Sequence, residues 1–142
     1  KVGNSLTVYD DLSSASACAL SSTRIVTLDN TQDKLIAYDF NGTNWSVTGN
    51  ALTGLTIAYG DVCRLSSTQF ALYYAVGFSA QSYINRYSFD GTNFALVEPS
   101  YSGITAAYTN KIAYLGTVGA DSNRVVTYAG TATSRTFDWV AP

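Results

Sequence analysis

The sequence predicts an all-β fold, a propeller-like array of about three four-stranded antiparallel blades of ~45 residues, and three observations lead there. The apolar residues, 46% of the 142-residue chain, include many Val, Ile, Leu, Tyr and Phe set among Thr, Ser and Gly. That is the composition of short strands and tight turns, not of helices. The chain also repeats itself: CALSST (residues 18–23) returns as CRLSST (63–68), and FNGTNW (40–45) returns as FDGTNF (89–94). Finally, Asn41-Gly42 and Asp90-Gly91 are strong hairpin signals, because a type I′ turn demands positive φ at both central positions.

The step from Cys18 to Cys63 is 45 residues and that from Phe40 to Phe89 is 49, so the second copy carries four more residues, placed near 76–82. Four extended segments fit into the first unit, at 17–20, 24–28, 34–40 and 44–47, each bounded by Ser, Asn, Asp or Gly. Residues 29–33, 76–82 and 119–123 fall where the second strand must turn into the third. Such tips of variable length on one rim are typical of a presented surface. A third copy is fainter: residues 110–114 match 68–72 in pattern, and 124–128 match 34–38. The chain reads as one domain with units at 18–62, 63–104 and 105–142, residues 1–17 being the end of a preceding unit or a closing strand. Val2-Gly-Asn-Ser-Leu6 echoes Thr48-Gly-Asn-Ala-Leu52, which places the start of the chain partway through a repeat. A β-sandwich predicts no such period. Three units leave two open edges, which a longer array, a ring of two copies or a clasp formed by residues 1–10 would close.

Composition also narrows the function. No apolar run approaches the 18 or so residues of a membrane helix, so no membrane insertion is expected. With 8 basic against 10 acidic residues and no basic patch, no nucleic-acid partner is expected either. The absence of His removes Ser-His-Asp and Cys-His chemistry, and the close carboxylate pairs, Asp10 with Asp11 and Asp29 with Asp33, read as turn formers. The expectation is a non-catalytic protein. Lys1 follows no basic-plus-apolar leader, which points to a processed form or a piece of a longer chain. Cys18 and Cys63, at equivalent positions of successive units, read as buried free thiols in preference to a disulfide.

For ligand contacts the positions singled out are Arg24, Trp45 and Tyr73, by their place in the unit and by the fitness of Tyr and Trp for binding surfaces. Trp45 and its counterpart Phe94 are equally expected to pack between neighbouring units. No cofactor is required, but the oxygens of Leu28-Asp-Asn-Thr-Gln-Asp33 make Asp29 and Asp33 the candidate metal ligands, for calcium.

The stretch LSSTRIVTLDNTQDKLIAYDFNGTNWSVTGNAL, residues 20–52, resembles blade repeats of bacteriophage tail-fibre and spike proteins and of related bacterial surface proteins. The resemblance implies a propeller-like receptor-binding domain on a virion surface or outside the cell, taking a host cell-surface glycan or receptor, and in some relatives calcium. A second resemblance is to small propeller lectins, in which an Arg, a Glu and a Trp meet the sugar between blades. Arg24 and Trp45 match two of those three, while the third strand offers Ala37 and the only Glu is Glu98. Homo-oligomerisation or membership of a longer chain follows from the open edges. The rival readings are a structural β-rich subunit of a virion or extracellular fibre and a multivalent lectin.

Overall fold

The computed structural model describes residues 16–29, 31–76, 81–105, 110–118, 122–129 and 133–140. They are strands and turns throughout, without a helix, in three antiparallel sheets that each run in simple meander order. The first sheet is β1 (Ser16–Ala19), β2 (Arg24–Asp29), β3 (Lys34–Phe40) and β4 (Trp45–Leu52). The second is β5 (Tyr59–Arg64), β6 (Gln69–Ala75), β7 (Gln81–Phe89) and β8 (Phe94–Thr105). The third is β9 (Asn110–Val118), β10 (Ser122–Ala129) and β11 (Thr133–Val140). It has three strands among the described residues where the repeat predicts four. The proposed clasp at residues 1–10 lies outside the described residues.

The repeated letters are turn chemistry. In LSST, the Leu20 and Ser21 amides both donate to the Arg24 carbonyl and the Ser21 hydroxyl accepts from Thr23 N–H. Leu65, Ser66 and Thr68 repeat the arrangement around Gln69. In residues 41–44, Asn41 Oδ1 accepts the amides of Thr43 and Asn44 at 2.9 and 2.8 Å. Asp90 Oδ1 accepts those of Thr92 and Asn93, both at 2.7 Å. These are four-residue loops folded by an Asx side chain, with Gly42 (φ 94°) and Gly91 (φ 101°) supplying the left-handed position. They correct the expected two-residue type I′ turn: Asn41 and Asp90 keep negative φ because their side chains satisfy the loop amides. Of the extra residues in the second unit, most lengthen strands, since β6 and β7 have 7 and 9 residues against 6 and 7 in β2 and β3.

Side chains alternate across each strand, and the sheets stack accordingly. On β6, Phe70 and Leu72 join Val26, Leu28, Leu35 and Ala37 in a core between the first and second sheets. Ala71 and Tyr73, on the other face of β6, join Ile84, Ile112 and Val125 in a core between the second and third. The middle sheet is therefore buried on both faces. The stack fans: β1, β5 and β9 lie side by side, while the outermost β4 and β8 scarcely meet and leave Val47 and Leu96 exposed. Within the first core Phe89 and Phe94 pack at 4.6 Å between ring centroids, and Phe94 meets Phe70 edge-on at 5.9 Å. Phe94 thus fills the expected spacer role between units.

Candidate functional site

The seam between the first two sheets carries an ion pair set by strand register. Asp29 pairs with Lys34 across the tip of the β2–β3 hairpin, and counting back along both strands puts Arg24 opposite Asp39. The guanidinium donates to the carboxylate in bidentate fashion, Nε to Oδ1 and Nη2 to Oδ2, each at 2.7 Å. Its carbon lies 5.2 Å from the centroid of the Phe89 ring on β7, a cation–π stack that spans the seam. The hydrogen bond from Arg24 holds the Asp39 carboxyl below the usual carboxylate range, and the bond to Asp39 raises the guanidinium in turn. With side-chain exposures of 27% and 36%, the pair is within reach of solvent. In the second sheet the same two positions are Gln69 and Ser88, again directly opposite. Of these two sheets only the first carries the charged pair.

A second joint lies at the same end of the seam. Asn50 on β4 donates its amide to Thr92 O at 2.6 Å and its side-chain Nδ2 to Asn93 Oδ1 at 2.9 Å. Gly49 makes the approach possible: its φ is +68°, and a Cβ there would collide with the Thr92 carbonyl. The turn after β7 is thereby clamped on β4, and its Gly91 lies beside the Arg24 guanidinium. Arg24, Asp39, Gly91 and Asn50 lie along one nearly neutral stretch of the seam with donors and an acceptor, above the fully buried Phe89 ring.

The residues singled out from sequence do not converge. Trp45 packs on Phe40 at 5.1 Å, and Phe40, following Asp39 on the strand, points to the opposite face from the ion pair. Tyr73 is 1% exposed and lies in the second core, so it does not line a surface with Arg24. Burial pushes the Tyr73 hydroxyl up, and the nearby Ser82 hydroxyl offsets part of this without reaching hydrogen-bonding geometry. Asp29 Oδ1 accepts the amides of Thr31 and Gln32, each at 3.0 Å. Asp33, in the left-handed region at φ 52°, accepts Ile57 N–H at 2.8 Å and so ties the hairpin tip to the link between the sheets. Both carboxylates carry backbone bonds, and among the described residues no group of three or more His, Cys, Asp or Glu side chains gathers as a metal site. Comparison with protein-family models, with curated proteins and with solved structures gives no match.

Asp39, Phe89 and Asp61 were not singled out from sequence. Asp39 was legible, since the tip at residues 29–34 fixes the register, but the acid was sought near Ala37, two residues away. Phe89 was visible as half of the repeat, without a sign that it would stack on Arg24. Asp61 is a buried node where the sheets converge: it accepts the Ser16 hydroxyl from β1 and the Ile112 amide from β9 at 3.0 Å. Ser16 Oγ in turn accepts Val62 N–H at 3.1 Å, and Lys111 Nζ stands 3.7 Å from the carboxylate. Cys18 and Cys63 are free thiols, each pushed up to about 12 chiefly by burial.

Proposed function

We propose that the chain is a non-catalytic receptor-binding module of the kind a phage spike or tail fibre carries, a propeller-like stack of about three blades exposed on a virion or outside the cell. Its ligand is a host cell-surface glycan or protein, with neutral sugars the class best suited to the seam. The observation that supports this reading is the Arg24–Asp39 pair laid over Phe89 between two repeat sheets. A fixed guanidinium offers donors and a fixed carboxylate offers acceptors, the combination that recognises adjacent hydroxyls, and the buried Phe89 ring beneath holds the guanidinium in place. The resemblance of residues 20–52 to phage blade repeats points the same way. Asp29 and Asp33 remain the residues to test for calcium, and that test belongs in the same experiment.

A glycan-array screen of the 142-residue chain in calcium and in chelator tests the proposal. Saturable binding to a defined sugar that falls at least about tenfold in Arg24→Gln, the loss expected for hydrogen bonds to a charged group, supports it. Binding unaffected by that substitution overturns the seam as the site. The second reading, a structural subunit, rests on the exposed Val47 of β4 and the exposed Leu96, Val97 and Tyr101 of β8, strands at the open edges of their sheets. Concentration-dependent fibres from a chain that binds no glycan favour it.

A further inference from the structure

Cys18 and Cys63 take no part in the seam, yet they occupy the same place in successive sheets. Cys18 lies on β1 and Cys63 on β5, 45 residues apart. Each of these strands is at the edge of its own ladder, and the two lie side by side where the first and second sheets meet. Their approach is gauged by Ser16 and Asp61, which are likewise 45 residues apart. The Ser16 hydroxyl donates to the Asp61 carboxylate, and its oxygen accepts Val62 N–H at 3.1 Å. A serine reaches a single heavy atom beyond Cβ, so the strands stand within one short side chain of each other.

Two residues further along each strand, alternation returns Cys18 to the face of Ser16 and Cys63 to the face of Asp61. The strands run in the same direction, because the chain leaves both at one end of the stack. Arg24, the first residue after the turn that follows β1, stacks on Phe89, and the Phe89 amide donates to Thr68 O in the turn that follows β5. The step from Ser16 to Cys18 is thus matched by the step from Asp61 to Cys63, and the thiols come opposite each other. Their titration carries the same imprint. Burial is the chief cause that pushes each up to about 12; after it, Cys18 acts on Cys63, while Asp61 and Arg64, on either side of Cys63 in the strand, act on Cys18. Cys63 is buried, whereas Cys18 is half-buried and within reach of a small molecule.

We propose that Cys18 and Cys63 are a redox pair that closes a disulfide between the first and second sheets when the chain meets a small-molecule disulfide such as oxidised glutathione. The Cys18 thiolate, the more exposed of the two, attacks one sulfur of the oxidant, whose S–S bond breaks and releases one glutathione. The Cys63 thiolate then attacks Cys18 Sγ in the mixed disulfide, forming the Cys18–Cys63 bond and releasing the second glutathione. The protons shed by the two cysteines end on the two glutathione thiols, so the protein is oxidised by two electrons and the glutathione disulfide is reduced. Exchange is slow, because a buried, protonated thiol is a weak nucleophile. The closed bond ties the inner strands of two sheets together and restrains the unfolded chain.

The test incubates the folded 142-residue chain with oxidised glutathione, blocks the remaining thiols with iodoacetamide and maps the unreduced digest by mass spectrometry. The expected result is a monomer lighter by two hydrogens, a peptide linking Cys18 to Cys63, and a urea unfolding midpoint above that of the reduced chain. Cys63→Ala should stop at the mixed disulfide on Cys18; if that variant does not fold, the peptide map of the unsubstituted chain decides. Links between separate chains, or glutathione retained on both cysteines without a link, would overturn the pairing. So would thiols that stay free in the folded chain while the urea-unfolded chain reacts completely. A bond whose closure lowers the unfolding midpoint would overturn it as well, by showing that the native strands hold the sulfurs apart.

Discussion

The first and second sheets are built from the same letters and end in different environments. Phe89 of the second sheet is fully buried against the first, while its equivalent Phe40 is only half-buried. The two aromatic pairs, Phe40–Trp45 and Phe89–Phe94, keep the same 37° between ring planes. Local sequence therefore dictates the hairpin and its ring pair, and the neighbouring sheet decides how much of it is removed from water. The polar positions diverge further: Arg24 and Asp39 of the first sheet become Gln69 and Ser88 in the second, so a conserved backbone geometry carries two different surfaces.

The comparison is most strongly tested by truncating the rings. Phe89→Ala should lower stability by about 3–5 kcal/mol, the cost of emptying a buried aromatic site, and Phe40→Ala by distinctly less, both read from urea unfolding midpoints. Equal losses would contradict the difference in burial. Next come the glycines. Gly49→Ala meets both a left-handed φ and the Thr92 carbonyl, whereas Gly42→Ala meets only the φ, with open space around it. The second should cost about 1–2 kcal/mol and the first clearly more, by the same measurement.

Replacing Asp61 by Asn keeps the shape and removes the charge that serves Ser16, Ile112 and Lys111 together. A loss of about 1–3 kcal/mol is expected, with faster amide exchange at Ile112, whereas exchange unchanged at Ile112 would deny the node its role. The smallest effect on stability belongs to the seam. Arg24→Gln should cost no more than about 1 kcal/mol, because a pair this exposed is screened by water. Its pH signature has a definite sign. The folded carboxyl of Asp39 lies below its usual value near 3.8, so the pair's contribution is present above that pH and fades as acid titrates the folded carboxyl. Asp39→Asn should remove that part of the acid dependence, as read from unfolding midpoints between neutral pH and pH 3.

Much of the architecture was legible. The first sheet's strands were placed within a residue or two, except that β4 continues to Leu52, past the predicted end at 47, because its outer half runs on through the Gly49 joint. The Asx-Gly hairpins were legible as hairpins but not as four-residue Asx loops, and LSST was legible as a repeat but not as the turn its amide bonds make. The third sheet was harder, since its similarity to the others is faint and its strand count depends on partners distant in sequence. The site was legible only in part, because Arg24 was found by position while Phe89 comes from another repeat and its stacking depends on how two sheets approach. Tyr73 misled for a related reason: its type and its place in the unit suit a binding surface, but the third sheet covers that face.

The central claim is that the seam between the first two sheets is the binding surface. Two-dimensional spectra that record backbone amides and the Arg24 Nε–H, taken while titrating the sugar found on the array, test it most directly. The account predicts saturable shifts at Arg24 Nε, Asn50 and Gly91, with Gln69 and Ser88 unmoved. Shifts confined to the 31–33 hairpin tip or to the third sheet, with Arg24 Nε unchanged at saturation, would contradict it.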